Sequence, residues 1–288
     1  MKIKLTGSNG YIGRLISSEL LKKGHAVSGI NRDLLYGAST NLQKELRNAD
    51  VIINLAGAPI LQRWTAENKK NIYNSRVVTT RNLVKAIIEL PENERPHKVV
   101  SASAIGLYRS GDSHTEESTN FDDGFVGEVV KDWENELRVL PMNVPTIVFR
   151  LGIVFGKEAK TIQNMLLPFK LGLGGKIGSG EQAFPFIHEQ DVVNAFVWAT
   201  ETLDTSDTFN LTAPESISNK EFTQTFARQV NRPAFFTIPA FALKLVFGKA
   251  AQLLTQSPKV SSRKLLNAGF NFEYPTIKAT LQNIIAKS

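Results

Sequence analysis

The sequence contains no cysteine among its 288 residues. Disulfide bonds, thiolate nucleophiles and sulfur-ligated metal sites are therefore excluded, and a reducing compartment, the cytoplasm, is the expected location. No apolar run is long enough to span a bilayer, so we expect no contact with a membrane. Met1 leads directly into a strand-like run, without a basic segment followed by an apolar one, and we expect no signal peptide.

Acidic residues are in the minority, with 27 against 34 lysines and arginines, which gives a net charge of +7. Such a balance favours anionic ligands, including phosphates, and makes nonspecific nucleic-acid binding conceivable. The basic residues are scattered rather than clustered, so we interpret them as a solvated surface and do not expect a nucleic-acid partner. With 42% hydrophobic residues, the chain can bury the core of one large domain or two smaller ones.

Glycine is concentrated first in the N-terminal stretch KIKLTGSNGYIG, residues 2–13. A strand-like run precedes Gly7, Gly10 and Gly13, and a helical apolar pattern follows over residues 11–23. In a dinucleotide-binding turn the first glycine permits a tight bend, the second admits a pyrophosphate, and the third lets the helix pack on its strand. The free amide groups and positive end of the helix would then hold the pyrophosphate.

Asn31 and Arg32 follow the second predicted strand, residues 26–31. An acidic residue at this position would bind the ribose 2′-hydroxyl of the adenosine, whereas an arginine accommodates a 2′-phosphate. The pair therefore indicates NADP rather than NAD as the cofactor. A plain surface arginine is the alternative, and Asp33, one position further on, makes the distinction less sharp.

Strands and helices alternate through the first half of the chain, which predicts a parallel, doubly wound α/β sheet. Further strands are predicted at residues 34–36, 51–55, 98–101 and 145–149, and helices at residues 40–48, 65–90 and 125–138. The continuous apolar run of residues 51–55 is typical of a strand buried on both faces. The small residues Ala56 and Gly57 after it leave room for part of a cofactor.

Glycine is concentrated a second time in residues 172–180, after a predicted helix over residues 157–171. His188 and Asp191 further on are interpreted as structural: His188 ends a short strand, and Asp191 caps a helix over residues 192–201. The sequence offers no additional ligands that would turn this pair into a metal site, so no metal is expected.

The last quarter of the chain combines a capping box with a strongly apolar segment. Ser218, followed by Glu221, predicts the start of a helix over residues 218–230. The apolar segment, residues 240–254, is interpreted as packing on the C-terminal domain or on a homodimer partner rather than on a membrane surface. Further helices are predicted at residues 257–268 and 276–286.

Four motifs occur in the order of a known family: TGSNGYIG at residues 6–13, NLAG at 54–57, SASA at 101–104 and RLGIVFG at 150–156. They resemble the extended short-chain dehydrogenase/reductases of the nucleoside-diphosphate-sugar epimerase group. Through NLAGAPI, SASAIGLY and the IHEQD turn, the chain resembles most an atypical "epimerase family protein" branch that has a C-terminal domain of unassigned function. The resemblance covers essentially the whole chain.

This resemblance implies an NAD(P)-binding Rossmann-like domain over residues 1–155 and a smaller C-terminal α/β substrate domain over residues 156–288, with some segments returning to the Rossmann sheet. It implies an oxidoreductase or epimerase-like protein acting on a small molecule, either a sugar nucleotide or a small carbonyl or carbinol compound. Gln182, in the glycine-rich loop, is a candidate substrate contact, a plain connecting loop being the alternative. The expected cofactor contacts are Gly7, Ser8, Asn9, Gly10, Tyr11, Ile12, Gly13, Asn31, Arg32, Leu55, Ala56, Gly57, Lys69, Ser101 and Ala102.

The catalytic residues that the resemblance implies are present only in part. Family members that oxidise and reduce a substrate use a tyrosine base, a lysine four residues later that lowers the pKa of the tyrosine, and a serine. With Glu134 aligned on the family's glutamate, the tyrosine and lysine positions hold Val126 and Val130. The serine is retained as Ser103, with Ser101 as the alternative position. We take Ser103 and Tyr108 as the candidate catalytic residues, with Tyr108 as the proton carrier.

Other polar residues near these positions are candidates for the missing chemistry. They are Lys69, Arg76, which replaces the family's helix asparagine, and Glu128. Each has a plainer interpretation: Lys69 and Arg76 would hold a phosphate, Glu128 would be solvated, and Tyr108 would pack with its hydroxyl satisfied. If the chemistry is absent, the alternative function is a non-catalytic NADP-binding protein that senses redox state or serves an interaction.

Overall fold

The computed structural model of the protein describes residues 1–285. Its strands are β1 (Lys2–Thr6), β2 (Ala26–Ile30), β3 (Val51–Asn54), β4 (Lys98–Ala104), β5 (Ser113–His114), β6 (Thr146–Leu151), β7 (Ile153–Phe155), β8 (Gly175–Ile177), β9 (Phe186–His188), β10 (Asp207–Leu211), β11 (Phe236–Ile238) and β12 (Lys259–Val260). Its α-helices are α1 (Tyr11–Lys22), α2 (Ser39–Leu46), α3 (Ala66–Tyr73), α4 (Thr79–Glu89), α5 (Phe125–Leu137), α6 (Lys160–Lys170), α7 (Glu189–Thr202), α8 (Asn219–Gln229), α9 (Ala240–Phe247), α10 (Gln252–Thr255), α11 (Arg263–Asn267) and α12 (Ile277–Ile285). The end of the second predicted domain and the last position of the helix predicted at residues 276–286 lie outside the described residues.

Six strands form one parallel sheet in the order β10-β6-β4-β3-β1-β2. Lys2 lies opposite Ala26 at one side of the sheet, and Leu211 lies opposite Leu151 at the other. The strand order reverses at β1, which has β2 on one side and β3 on the other, and ligands bind at such a switch point in doubly wound sheets. The predicted Rossmann-like, doubly wound α/β fold is therefore confirmed.

Helices cover both faces of this sheet, because alternate residues of its buried strands point to opposite sides. On one face, Ile16 of α1 and Phe196 of α7 belong to the core that contains Ile53 of β3. On the other face, Leu42 of α2 belongs to the core that contains Ile52 of β3. This two-sided burial explains why the run around β3 is continuously apolar.

The prediction of a strand at residues 34–36 is wrong. Arg32–Leu35 instead forms a turn of 3₁₀ helix, and the Asn31 side chain accepts a hydrogen bond from the Asp33 amide at 3.0 Å. Asparagine favours such caps because its short side chain reaches the backbone two residues on. As a result β2 stays at the edge of the sheet, and Arg32 lies directly beside the end of this strand.

The helix predicted at residues 65–90 is interrupted by a π-helical turn over Asn74–Val78, between α3 and α4. Such a turn inserts one residue into the helical repeat, and it is frequent at functional sites. Here it brings Ser75 and Arg76 against the chain segment that follows β3. The apolar pattern of the sequence does not reveal this change of hydrogen bonding.

The second half of the chain is divided between the large sheet and a smaller unit. Strand β10 pairs with β6 although it lies beyond residue 155. A separate core contains Phe155, Phe222 and Leu281 and is bordered by α6, α8 and α12. Short two-stranded sheets pair β8 with β11 and β7 with β9, and a further one pairs β12 with β5 from the first half of the chain. The predicted division into domains at residue 155 stays a prediction.

The helix predicted at residues 257–268 is wrong over its first part. Lys259 pairs with Ser113, and its amide donates to the Asp112 carbonyl at 2.9 Å. Only the short helix α11, Arg263–Asn267, forms in this segment. Pairing with a distant strand overrides the local preference for helix here.

The interpretation of Asp191 as a helix cap is also wrong. His188 ends β9 as predicted and itself caps α7, since its Nδ1 accepts from the Gln190 amide at 3.0 Å. Asp191 is buried and accepts hydrogen bonds from the amides of Glu273 and Tyr274 at 2.7 and 3.1 Å. This carboxylate therefore joins α7 to the chain segment before α12.

The capping box at the start of α8 is confirmed, with Ser218 accepting from the Glu221 amide and Glu221 accepting from the Ser218 amide. The segment predicted to be strongly apolar forms α9 and α10, and the side chains of Phe241 and Leu245 are exposed. Within residues 1–285, none of the helices is both long enough and apolar enough to cross a bilayer.

Candidate cofactor-binding site

A cleft of about 790 Å³ opens at the carboxyl ends of β1, β2 and β3. This is the edge at which doubly wound sheets bind their ligands, and the volume lies in the range of small-molecule sites. The predicted cofactor contacts that line it are Gly7, Ser8, Asn9, Gly10, Asn31, Arg32, Leu55, Ala56 and Gly57. Lining residues that the sequence analysis did not single out include Gly29, Tyr36, Ala58, Pro59, Asn71, Ser75 and Thr79.

The glycine turn after β1 has little room for side chains. Gly7 has a φ of 69°, and a Cβ at this position would lie 2.8 Å from the Leu55 carbonyl oxygen. A Cβ on Gly13 would lie 2.2 Å from the Gly7 carbonyl oxygen, so only glycine lets α1 pack this closely on the turn. The turn is closed by a hydrogen bond of 2.9 Å from the Gly10 amide to the Gly7 carbonyl.

Helix α1 begins at this turn with its N-terminus free. No side chain caps it within the described part of the chain, and its first turn contains no acidic residue. The first amide groups of a helix have no partners inside the helix, and the helix dipole adds a partial positive charge. The turn and the helix end therefore fit the diphosphate of a dinucleotide.

A second glycine contact supports the turn from the neighbouring strand. A Cβ on Gly29 of β2 would lie 2.2 Å from the Ser8 hydroxyl oxygen. The small residue therefore lets the glycine turn lie against the end of β2. A glycine inside a short predicted strand was the sequence signal for this close approach.

Arg32 lies where the cleft reaches the end of β2. Its Nη2 is 3.4 Å from the Asn71 side-chain oxygen, and its guanidinium carbon is 5.8 Å from the centre of the Tyr36 ring. The side chain is exposed, so its charge is available to a ligand in the cleft. A planar guanidinium suits a phosphate because it donates two parallel hydrogen bonds.

Several predicted cofactor contacts do not line the cleft. Ser101 is fully buried, and its hydroxyl accepts from the Asn54 side chain at 3.1 Å. Ala102 is buried beside it in β4. Lys69 lies in a different groove, between α3 and α5, with Nζ 4.7 Å from the centre of the Phe125 ring. The remaining residues outside the lining are Tyr11, Ile12 and Gly13.

The two candidate catalytic residues belong to one buried hydrogen-bond network. The Ser103 hydroxyl donates to Glu134 Oε1 at 2.6 Å. Arg150 donates to both oxygens of Glu134, at 2.8 and 2.7 Å, and its Nη1 donates to the Tyr108 oxygen at 2.7 Å. The Tyr108 hydroxyl in turn donates to the Asn210 side-chain oxygen at 2.7 Å. Both hydroxyl groups are therefore already occupied inside the protein.

The electrostatics of this network favour a neutral phenol and a charged guanidinium. Burial raises the pKa of Tyr108, and the charge of Arg150 and the hydrogen bonds with Arg150 and Asn210 only partly oppose this. Burial alone would lower the pKa of Arg150, but the Glu134 carboxylate outweighs it and raises that pKa. Tyr108 also stacks on His114, with ring centres 4.8 Å apart. This geometry matches the alternative in which Tyr108 packs with its hydroxyl satisfied.

Val126 and Val130 occupy the expected tyrosine and lysine positions in an apolar cluster with Leu107. They are 8% and 3% exposed, so no titratable group replaces the missing pair at these two positions. Gln182 donates to backbone carbonyls of Ile177 and Leu254 at 3.1 and 3.3 Å, and its predicted contact with substrate stays a prediction. Residues 1–285 contain no cluster of three or more metal-ligating side chains.

The fold and the site define a Rossmann-like nucleotide-binding protein. Its features are a parallel six-stranded sheet, a glycine turn that leads into an uncapped helix, and a cleft at the switch point of the sheet. Residues 3–212 match the NAD dependent epimerase/dehydratase family, and residues 238–284 match a domain of unknown function, DUF1731. The chain belongs to the NAD-dependent epimerase/dehydratase family. The resemblance found in the sequence is thereby confirmed.

Known relatives align with the chain over its whole length. The epimerase family protein YfhF of Bacillus subtilis is 31% identical, over 99% of this chain and 98% of the relative. Human epimerase family protein SDR39U1 is 33% identical, over 99% of this chain and all of the relative. A crystal structure of human SDR39U1 with NADPH has a TM-score of 0.92 and covers all of both chains. MoeE5 in complex with UDP-glucuronic acid and NAD has a TM-score of 0.81 at 20% identity, a likeness of fold.

Proposed function

We propose that this protein binds NADP(H) in the cleft and is an oxidoreductase or epimerase-like protein acting on a small carbonyl or carbinol compound or a sugar nucleotide. The observation that carries the proposal is the placement of Arg32 at one end of a cleft that contains the glycine turn. A dinucleotide with a 2′-phosphate has anionic groups for both features. The NADPH in the human SDR39U1 structure supports the same assignment.

Different residues of the chain would bind different groups of the nucleotide. The amides at the start of α1 would hold the diphosphate, and Arg32 would pair with the 2′-phosphate. When bound, a nicotinamide nucleotide supplies a hydride donor or acceptor. Exchange of a hydride with a carbonyl or carbinol also requires a group that moves a proton, and Ser103 and Tyr108 were the candidates for that role.

A second candidate function, a non-catalytic NADP-binding protein, is favoured by the state of these groups. The Ser103 hydroxyl donates to Glu134, and the Tyr108 hydroxyl donates to Asn210. Valines stand at the two positions where the family's base and its lysine would be. In this alternative, binding of NADP(H) would report redox state or order an interaction surface.

Titration calorimetry with NADPH and NADH tests the binding proposal. We expect NADPH to bind more tightly than NADH, and Arg32→Gln to weaken NADPH by about 10- to 100-fold, the range of a hydrogen-bonded charge pair. NADH should change by less than about threefold, because it lacks the 2′-phosphate. Arg47→Gln is the matched control, since Arg47 is a half-exposed arginine after α2 that pairs with Glu94 and does not line the cleft. Absence of binding by the wild-type protein, or equal losses for both nucleotides, would contradict the proposal.

Turnover separates the two candidate functions. The protein is incubated with NADPH and a panel of sugar nucleotides and small carbonyl compounds, and absorbance is followed at the nicotinamide band. Oxidation above the rate without substrate supports an oxidoreductase. Tight NADPH binding without oxidation supports the non-catalytic alternative. A cytoplasmic location and a homodimer stay predictions of the sequence.

A further inference from the structure

Large apolar side chains are exposed together in one part of the second half of the chain. Eight of the fifteen such side chains that are exposed within residues 1–285 belong to two short segments, residues 167–173 and 235–246. We call these eight the apolar patch: the three leucines of the first segment and the exposed phenylalanines, leucine and valine of the second. Single exposed apolar residues are ordinary, whereas a concentration of them marks an interaction surface.

The pairing of β8 with β11 joins the two segments. Gly175 of β8 lies opposite Phe236 of β11. The leucines come shortly before β8, and α9 begins two residues after β11 ends. Arg232 Nε donates to the Lys170 carbonyl at 2.9 Å and connects the same two segments a second time. The apolar patch is therefore one region of the surface.

Helix α9 is held in place although apolar side chains on it face solvent. Arg63, in the segment after β3, donates through Nε to the Val246 carbonyl at 3.0 Å. Ala250, just after the helix, is fully buried. The side chains of Phe241, Leu245 and Val246 nevertheless remain 67%, 70% and 60% exposed. Packing on the C-terminal domain therefore accounts for Ala250 but not for these three side chains.

The charges around the apolar patch have one sign. Residues 159–180 contain three lysines, residues 222–258 contain four lysines and arginines, and neither segment contains an aspartate or glutamate. None of these seven cations pairs with a carboxylate in the part of the chain that the structure describes. Lys244 is exposed three residues after Phe241 and directly before Leu245, so it flanks the apolar side chains of α9. The occupant of the patch must therefore combine apolar and anionic groups.

An anionic bilayer meets this requirement better than a protein does. In a twofold contact between two copies the same surface faces itself, which would bring the unpaired cations of one copy against those of the other. Charged residues are depleted from the core of protein interfaces, so an acidic protein would not mix its charges with its apolar groups. The surface of a bilayer with anionic lipids offers headgroup phosphates and acyl chains together.

We propose that the apolar patch binds the surface of anionic lipid bilayers, with Phe241, Leu245 and Val246 in the headgroup region and Lys244 beside lipid phosphates. A helix that lies in this interface needs an apolar side flanked by lysines, not the length of a spanning segment. The sequence-based expectation of no membrane contact relied on the absence of such a length, which does not bear on surface binding. No member of the patch lines the cofactor cleft, so the proposal does not depend on NADP(H).

Co-sedimentation with lipid vesicles tests the proposal. Vesicles of phosphatidylcholine alone are compared with vesicles of an equal mixture of phosphatidylcholine and phosphatidylglycerol. We expect binding to the mixture to be at least about tenfold tighter, because each lysine or arginine near an anionic surface contributes about fivefold. This binding should weaken as the salt concentration rises.

Two pairs of variants locate the contact on the protein. Val246→Ser should weaken binding to the mixed vesicles by about five- to tenfold, whereas Val139→Ser, at a valine that is 62% exposed outside the patch, should leave it unchanged. Lys244→Gln should weaken it by about fivefold, whereas Lys22→Gln, at an exposed lysine of α1, should not. All four substitutions are at the surface, so the temperature of thermal unfolding should stay the same.

Other outcomes would overturn the inference. They are failure of the wild type to bind either kind of vesicle, equal binding to both kinds, and equal losses for patch and control variants. A dimer in sedimentation velocity that Val246→Ser dissociates, without vesicle binding, would assign the patch to a second copy of the chain. Salt-sensitive retention on DNA that Lys244→Gln weakens and Val246→Ser does not, again without vesicle binding, would assign the cations to a nucleic acid instead.

Discussion

Glu134 and Arg150 form a buried, two-pronged ion pair, with Nε to Oε1 at 2.8 Å and Nη2 to Oε2 at 2.7 Å. Their side chains are 7% and 5% exposed. Glu134 belongs to α5 and Arg150 to β6, and the same carboxylate accepts from Ser103 of β4. This ion pair therefore joins a helix to two neighbouring strands near their carboxyl ends.

Replacing Glu134 with glutamine should destabilise the protein strongly. The substitution leaves the Arg150 guanidinium buried without a counter-charge, which costs about 3–5 kcal/mol in proteins. Denaturant unfolding measures this loss. Glu136→Gln on the same helix is the control, because its partner Arg81 is half-exposed and such pairs contribute less than about 1 kcal/mol. Equal losses for the two variants would show that Arg150 finds another partner or water.

Replacing Tyr108 with phenylalanine should lower stability without changing NADPH affinity. It removes the acceptor for Arg150 and the donor to Asn210, so we expect a loss of about 1–3 kcal/mol in the free energy of unfolding. Tyr73→Phe is the control, since that hydroxyl donates to Asp132 in a more exposed position. A variant of Tyr108 that keeps full stability but loses NADPH-dependent turnover would restore its role as a proton carrier.

The features of the site that the sequence predicted are those that depend only on neighbouring residues in the chain. The glycine spacing of residues 7–13 fixes a turn and a close helix contact, and the structure has both. An arginine directly after the second strand indicates the position of Arg32 in the cleft, because the end of a strand in a parallel sheet faces the ligand edge. Each inference needs only residues that are close together in the chain.

The parts that were missed depend on residues far apart in the chain. Ser103 was a candidate for catalysis because of the family resemblance, with Tyr108 as proton carrier, and the sequence could not show that their hydroxyl groups bond to Glu134, Arg150 and Asn210. The π turn was missed for a different reason: its residues fit the apolar pattern of an ordinary helix, and only the hydrogen bonds differ. The strand β12 was missed because its partner β5 lies about half the chain away.

Replacing Gly13 with alanine should disrupt the glycine turn. A methyl group here would lie 2.2 Å from the Gly7 carbonyl oxygen, so α1 must move away from the turn. Overpacking of this kind costs about 1–3 kcal/mol, and the shifted amides should also weaken NADPH binding. Ser18→Ala, on the exposed face of the same helix, is the control and should change stability by less than about 0.5 kcal/mol. Wild-type NADPH affinity in Gly13→Ala would contradict the role of this close contact.

The buried carboxyl group of Asp191 should make the protein less stable as the pH rises. Burial raises the pKa of Asp191 from 3.8 to about 6, although the amides of Glu273 and Tyr274 partly oppose the shift. A raised pKa means that the folded state binds the proton more tightly than the unfolded state. The stability that this group contributes is therefore fully present below pH 3.8 and is lost as the pH rises through about 6.

Asp191→Asn isolates this contribution, because the other titrating groups of the two proteins are the same. Between about pH 7 and about pH 5, the free energy of unfolding of the wild type should rise by about 1 kcal/mol relative to the variant. Denaturant unfolding at several pH values measures the difference. If the free energy of unfolding of the wild type relative to the variant instead falls on acidification, the hydrogen bonds from the two amides outweigh burial. The charged carboxylate is then the form that joins α7 to the segment before α12.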